Sequence, residues 1–414
     1  MNNLQSINEA SMFLPHLEHI PARAEALLPT LRAWCEQNSG TFNAAGVDAV
    51  GESIVCLFAS LQPDIQPFSV LPYQSLNAQG QVESRPLGQG YRLQKRPQAP
   101  LQILLVGHLD TVYPASSLFQ KTRIDGDFLH GPGVADLKGG LLVLFLALEA
   151  LEASPWAENL GWQVVFNPDE EIGSQGSMPF LKQAAQGSHL ALIYEPAYAN
   201  GGLASTRKGS GNFEILVKGR AAHAGRDFHQ GRNAIRMAAD WLTELDQLNG
   251  QRGDLTLNLG FVSGGGALNV VPDTAVLKFN VRTEAAEDEA WLQAHLQRLQ
   301  NQMNRREGFH CEILGGFTRP PKALSAGLSR LMSYVSDCAQ KLDFSVSFTP
   351  TGGCCDGNNL AAFGLPNLDN MGVVGADIHS EQERMRLSSL PERAKLSALL
   401  LMRLASGDLI WPTC

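Results

Sequence analysis

Five side chains of the kinds that hold metal ions stand where apolar runs break off: His108, Asp136, Glu171, Glu195 and His379. Two imidazoles and three carboxylates suit a pair of zinc ions, with positions left open for water and substrate. The chemistry implied is metal-assisted hydrolysis. Taken singly, each residue has an ordinary alternative: a histidine at a strand end usually makes a structural hydrogen bond, and a doubled glutamate usually starts a solvated helix. Their repetition at three strand ends, at the turn Gly131-Pro132-Gly133-Val134-Ala135-Asp136 and again at His379 argues against coincidence.

The elements that must position these groups follow from periodicity. Leu101 to Val106 is a short apolar run of the kind buried on both faces of a parallel sheet. It ends in Gly107-His108-Leu109-Asp110. Residues two apart on an extended chain share a side, so Asp110 is expected behind the His108 imidazole, fixing its tautomer and raising its basicity. Trp162 to Phe166 breaks into Asn167-Pro168-Asp169-Glu170-Glu171, and Leu190 to Tyr194 breaks into Glu195. Open α/β sheets bind ligands beyond the carboxyl ends of their strands, so the three ends predict one shared crevice.

At 414 residues the chain exceeds what one core usually supports, and two domains are expected. The net charge of −9 and a pI near 5.6 speak against nucleic acid or an anionic membrane as partner. No apolar run is expected to reach membrane-spanning length, the best candidate being Leu141 to Leu151, which carries Glu149. The start, Met1-Asn2-Asn3-Leu4, lacks a basic region followed by an apolar one, so a cytoplasmic location is expected. Seven cysteines without regular spacing make neither a disulfide framework nor a zinc finger. Cys354 and Cys355 lie in the segment Thr351 to Asn358, a flexible turn that could face the site. A small buried or redox-silent role is expected for them ahead of ligation.

Composition shifts near Thr206 and near Pro320. Between them Phe213, Ile215 and Val217 alternate as a strand, and Asn233 to Leu248 has helical spacing. Leu255, Leu257, Leu259 and Phe261 alternate again, as does Ala275 to Arg282; Glu287 to Arg306 reads as a helix and Cys311 to Phe317 as a strand. That order, β-α-β-β-α-β, is ferredoxin-like. The flanking parts alternate strands with helices such as Gly139 to Leu151. The expected fold is therefore α/β: a catalytic domain with a mostly parallel, helix-covered sheet from residues 1–206 and 317–414, and an inserted ferredoxin-like α+β domain at 207–316. Ser389-Leu390-Pro391-Glu392 reads as a capping box ahead of a last helix.

The chain resembles the di-zinc aminoacylase and carboxypeptidase family, which includes glutamate carboxypeptidase, acetylornithine deacetylase and succinyl-diaminopimelate desuccinylase. The residues that carry the resemblance are Gly107-His108-Leu109-Asp110-Thr111-Val112-Tyr113, Gly131 to Gly140, Asp169-Glu170-Glu171-Ile172-Gly173-Ser174, Glu195-Pro196 and His379-Ser380. The resemblance implies two zinc ions, with cobalt or manganese as substitutes. It places Asp136 between the metals, His108 and Glu195 on one, and Glu171 and His379 on the other. It makes Glu170 the general base and Asp110 the carboxylate behind His108. His223, in Lys218-Gly219-Arg220-Ala221-Ala222-His223-Ala224-Gly225, matches the histidine that dimeric members lend across subunits to the oxyanion, with His229 a competing candidate. A homodimer through the inserted lid domain is implied likewise. Asn269 resembles a substrate-contacting position, and Arg282 and Arg319 match positions that grip a substrate carboxylate.

The turn before Asp356 departs from the family's small-residue pattern by its two cysteines, so substrate preference does not simply carry over. The features around Tyr113 and Gly352-Gly353 lean toward the glutamate-carboxypeptidase branch. The expected substrate is a small peptide or an N-acyl amino acid, cleaved at an amide that releases an amino acid. An N-acyl-amino-acid deacylase such as acetylornithine deacetylase is the alternative. A magnesium-dependent phosphoryl-transfer enzyme fits less well, because His108 and His379 suit magnesium poorly and no phosphate-binding Gly-rich loop is present. A non-catalytic binding protein would not need Glu170 beside a complete ligand set.

Overall fold

A computed structural model describes residues 12–412. The opening Met1 to Leu4, read above for a leader, lies outside the described residues. In chain order the elements that matter to the site begin with α1 (Ile20–Glu36), α2 (Ala44–Phe58), β1 (Asp64–Phe68), β2 (Gly90–Lys95) and β3 (Leu101–His108). Then come α3 (Gly139–Glu152), β4 (Leu160–Asn167), α4 (Met178–Gln186) and β5 (Leu190–Ile193). The inserted unit contributes β6 (Gly209–Lys218), α5 (Ala234–Asp246), β7 (Thr256–Gly264), β8 (Thr274–Thr283), α6 (Ala286–Asn304) and β9 (His310–Arg319). The chain returns through α7 (Ala326–Lys341), α8 (Asp356–Ala362), β10 (Asn367–Leu368) and α9 (Ser389–Ser406).

The main sheet has the order β1-β2-β4-β3-β5-β10. Strands β4, β3, β5 and the edge strand β10 pair in parallel, while β2 pairs antiparallel with both β4 and the other edge strand, β1. Every residue of β3 and β4 is buried, as strands covered on both faces must be. Alternation along β3 sends Ile103 and Leu105 into a core shared with α1, α2, α3 and α9, and Leu104 and Val106 into a second core under α4 and α8. Helix α3 is buried at every residue but Glu149 and Glu152, which explains why its leucines face every direction instead of forming one stripe. Gly140 lets it approach β5: a Cβ there would stand 2.0 Å from the Tyr194 carbonyl oxygen.

In the inserted unit the antiparallel order is β7-β8-β6-β9, with α6 and α5, the latter through Trp241, packed on one face against Phe213, Ile215 and Val217. This is the ferredoxin-like arrangement expected from periodicity. Three expectations need correction. Phe261 does not point inward with Leu257: β7 slips against β8 between Leu259 and Phe261, and the ring is 41% exposed. Ser389 is not a cap, since Ser388 precedes the helix; the Ser389 hydroxyl instead accepts the Val374 N–H and donates to the Arg386 carbonyl, and Glu392 pairs with Arg386. One helical stretch, Ala44–Leu61, does reach membrane-spanning length and apolarity. It packs Val47, Val50, Ile54 and Phe58 into the core and turns Asp48 and Glu52 outward, the pattern of a surface helix of a folded domain.

Candidate metal centre

The parallel register sets His108 opposite Asn167, so β3 and β4 end level with each other and the chain leaves both at one rim. His108 is buried, and its Nδ1 lies 2.9 Å from the Asp110 carbonyl oxygen and 3.4 Å from Asp110 Oδ1. The carboxylate therefore stands behind the ring, but the nearer partner is the backbone. Asp110 also accepts the Thr41 hydroxyl at 2.7 Å and the backbone N–H groups of Glu170 and Glu171 at 3.1 and 3.2 Å. It thus ties the end of β3 to the turn that carries the acidic pair.

Asp136 occupies the centre. Its Oδ1 is 3.1 Å from His108 Nε2 and its Oδ2 is 3.1 Å from His379 Nε2. Glu195 Oε1 lies 4.0 Å from His108 Nε2, and Glu171 Oε2 lies 3.3 Å from His379 Nε2. Donor atoms of His108, Glu170 and Glu195 fall within 4.8 Å of one another, as do those of His108, Asp136 and Glu171. His379 adopts a left-handed backbone, φ 62°, a conformation that a side-chain-bearing residue holds only where its surroundings impose it.

The turn carrying Asp136 is held by a residue that the sequence reading missed. Glu383 is fully buried and accepts backbone N–H groups from Gly133 at 3.1 Å, Ala135 at 2.9 Å and Asp136 at 3.0 Å. Gly133, at φ 71°, gives the turn the left-handed step that points these N–H groups inward. Tyr113 donates its hydroxyl to Glu383 Oε2 at 2.7 Å and to the Ser380 carbonyl at 2.8 Å, linking the Asp136 turn to the His379 loop. No local signal marks Glu383, which follows Glu381 in a polar loop after His379.

The electrostatics favour cations. Burial and the neighbouring Asp136 charge push Glu171 up to about 8, and burial with the charges of Asp136 and Glu170 puts Glu195 well above the usual carboxylate range. Burial also raises Glu170. Asp136 is buried too, yet hydrogen bonds from the two imidazoles outweigh that and hold it low. His379 is pushed up to about 11 by its hydrogen bonds to Asp136 and Glu171. Glu171 Oε1 and Glu195 Oε1 are buried without a hydrogen-bond partner. Crowded carboxylates with orphaned oxygens, faced by imidazole nitrogens, fit a pair of divalent cations as donor set and as charge balance.

Glu170 is paired differently from expectation. Arg319 Nη1 donates to Glu170 Oε1 at 2.6 Å, and Arg319 Nη2 donates to the Glu170 carbonyl at 2.7 Å and to Ser174 Oγ at 3.1 Å. Arg319 is only 3% exposed, because β9 ends under the acidic turn. Both terminal nitrogens of Arg319 thus hold the acidic turn, and Arg319 is not among the residues lining the cavity over the cluster. Arg282 Nη1 donates to Cys354 Sγ at 2.8 Å. Cys355 is buried and caps α8 by accepting the Gly357 N–H at 3.3 Å. A cavity of about 500 Å³ opens over the cluster and is lined by Asp136, Glu170, Glu195, Arg207, Cys354 and His379 among others. His223 and Asn269 do not line it. Both are exposed on inserted-unit loops, where His223 Nδ1 accepts the N–H groups of Gly225 and Arg226 and the Asn269 carbonyl accepts that of Ala224.

The family model described as peptidase family M20/M25/M40 matches residues 104–403. The chain is 27% identical to carboxypeptidase G2 of Pseudomonas sp. (strain RS-16), over 92% of this chain and 90% of that protein. It is 30% identical to succinyl-diaminopimelate desuccinylase of Bordetella bronchiseptica, over 75% of this chain and 84% of that one. An M20 family metallo-carboxypeptidase from Sulfolobus solfataricus shares the fold, with a TM-score of 0.71 at 15% identity, covering 91% of this chain and 98% of that structure. A fold, a crevice and a donor set that agree with the matched model make this chain a member of the M20/M25/M40 metallopeptidase family.

Proposed function

We propose that this chain is a di-zinc exopeptidase of the glutamate-carboxypeptidase kind, cleaving an amide to release an amino acid. The observation that carries the reading is the two-sided placement of Asp136, with each carboxylate oxygen 3.1 Å from a different imidazole. His108 and Glu195 would hold one ion, Glu171 and His379 the other, and Asp136 would join the two. When bound, such a pair acidifies water and polarises a carbonyl oxygen.

Glu170 serves as proton acceptor. Arg319 fixes Glu170 Oε1 and leaves the second oxygen of the carboxylate to take a proton and pass it to the departing amine. Arg282 reaches Cys354, which lines the cavity, and its guanidinium is the group proposed to meet the carboxylate of the amino acid released. His223 and Asn269 lie away from the cavity of their own chain, consistent with a homodimer in which His223 serves the neighbouring site. A second reading, an N-acyl-amino-acid deacylase, draws on the 30% identity to a desuccinylase. Assay of N-acyl-glutamates, N-acetylornithine and N-succinyl-diaminopimelate on zinc-loaded protein separates the two; activity confined to dipeptides with free amino termini overturns both. Glu170→Gln is expected to keep its metal content and lose about 10²- to 10⁴-fold in kcat. Normal turnover in that variant removes Glu170 from the mechanism.

A further inference from the structure

Cys354 has no role in the reaction above, yet it lines the cavity over the acidic cluster. It sits in the loop that joins the strand Phe348–Thr351 to α8, and the loop is held at both ends. Thr351 lies opposite Arg207 in a parallel pairing, and the buried Cys355 donates its N–H to Asn358 Oδ1 at 3.1 Å. Asn358 Nδ2 donates in turn to the carbonyls of Lys208 at 2.9 Å and Pro320 at 2.8 Å, the residues just before β6 and just after β9. Cys355 is extended, with φ −151° and ψ −173°, so neighbouring side chains leave the chain on opposite sides. Cys355 goes inward and Cys354 to the cavity.

Across the domain boundary stands Arg282, placed on β8 opposite Ser210 of β6 and Thr256 of β7. It is half-buried, and among the described residues its guanidinium makes one hydrogen bond, from Nη1 to Cys354 Sγ at 2.8 Å. Two other arginines near the cluster are differently occupied. Arg319 holds the acidic turn with both terminal nitrogens, and Arg207 gives Nε to Asp369 and Nη2 to Asn370, each at 2.8 Å. Arg282 differs from both in keeping Nε and Nη2 together without a protein partner among the described residues. Those two nitrogens form one edge of the planar fork, the pair that grips a carboxylate with parallel bonds. Cys354 takes the third nitrogen and leaves that edge open.

Sulfur suits this task. It is a weak acceptor and a soft atom, so it can orient a guanidinium without saturating it. A carboxylate in its place would take the fork for itself, as Glu170 takes Arg319. A glycine would leave a long side chain free, and ordering that chain at the moment of binding weakens affinity.

We propose that Cys354 is a positioning residue that sets substrate specificity: its sulfur holds Arg282 across the domain boundary with the Nε and Nη2 edge ready for the carboxylate of the amino acid released. The proposal rests on the role given to Arg282 under the proposed function and adds the residue that fixes its orientation. Cys354 itself touches neither the scissile amide nor the attacking water. Its effect is on how tightly the carboxylate is held.

The test is steady-state kinetics of the zinc-loaded protein on N-acetyl- and N-benzoyl-L-glutamate, with Cys354→Ala, Cys354→Ser, Cys354→Asp, Arg282→Ala and the double alanine variant beside the wild type. Cys354→Ala is expected to raise KM roughly 3- to 10-fold, the worth of one long side chain fixed in advance, with kcat little changed. Cys354→Ser keeps an acceptor and should recover most of that loss, whereas Cys354→Asp should lose at least as much as Arg282→Ala. Adding Cys354→Ala to Arg282→Ala should change KM no further, because residues that act through one contact do not add. Free L-glutamate should also slow alkylation of Cys354 by iodoacetamide in the wild type, a reading that needs no variant to fold. It is followed on the Cys354 peptide by mass spectrometry, since Cys56 is exposed as well. An unmoved KM in Cys354→Ala, a loss that persists in full in the Arg282→Ala background, or no protection by L-glutamate overturns the proposal while leaving the hydrolase reading intact. Hydrolysis of neither substrate by the wild type defeats the glutamate-carboxypeptidase reading, and a wild-type KM in Arg282→Ala defeats its carboxylate assignment; either takes this proposal with it.

Discussion

Glu383 and Arg319 each hold a turn of this site through hydrogen bonds to its backbone and side chains. Glu383, fully buried, collects three backbone N–H groups and the Tyr113 hydroxyl. Glu383→Ala leaves those donors buried and unpaired, at about 1–3 kcal/mol for each one left unsatisfied. Because the same turn carries Asp136, zinc affinity measured by chelator competition is expected to fall about 10- to 100-fold, with Glu383→Gln falling less. Unchanged affinity in the alanine variant would separate Glu383 from the metal centre. For Arg319 the two candidate roles differ in their kinetic signature. A group that positions the base lowers kcat when altered, whereas a grip on substrate raises KM. Arg319→Lys loses the two-pronged contact with Glu170 and is expected to reduce kcat by about tenfold or more with little change in KM. A rise in KM alone restores Arg319 to the substrate.

The elements beneath the site are joined by a buried ionic knot. Asp369, just after β10, accepts Arg207 Nε at 2.8 Å and Lys322 Nζ at 2.9 Å, and all three side chains are nearly inaccessible. The knot fastens the strand Leu203–Arg207 and the start of the returning segment to the end of β10. Burial alone would raise the Asp369 carboxyl, but the two cations outweigh it and bring it from 3.8 to about 2. A carboxylate whose folded value is depressed contributes stability above its unfolded value, and that contribution is lost as pH falls through the folded one. Chemical denaturation between pH 5 and pH 2 is therefore expected to show stability falling below about pH 4. Asp369→Asn should be destabilised at neutral pH by about 3–5 kcal/mol, because it strands two buried cations, and should lose much of this acid dependence. A variant as stable as the parent would show that the knot is replaceable.

Catalytic domain and inserted unit meet across the cleft, and the acidic cluster sits at that junction. Carboxylates forced together by the fold repel, so the folded chain should gain stability from any divalent ion it binds there. Saturating zinc at about 100 times its dissociation constant is worth about 2.7 kcal/mol through mass action. Chelation is expected to lower the melting temperature by several degrees, and zinc readdition to restore it together with activity. A melting curve indifferent to chelator, on protein whose metal content is measured, would sink the dinuclear reading.

Local patterning marked the strand ends, the inserted β-α-β-β-α-β unit and the five side chains, His108, Asp136, Glu171, Glu195 and His379, that the fold brings together. Each rests on short-range regularities: alternation along a strand, helical spacing, and the breaks where an apolar run gives way to an acid or a histidine. The partners of those residues were another matter. Arg319 meets Glu170 across 149 residues, and Glu383 meets the Asp136 backbone across 247, and nothing near either residue announces the other. Ser389 had the neighbours of a cap but not its place, and Phe261 lost its inward position to a one-residue slip that alternation does not reveal. Which donors and acceptors stay unpaired, and which cavity they face, is decided when distant segments pack and exclude water, because only then does an unmet hydrogen bond or an unbalanced charge carry its cost.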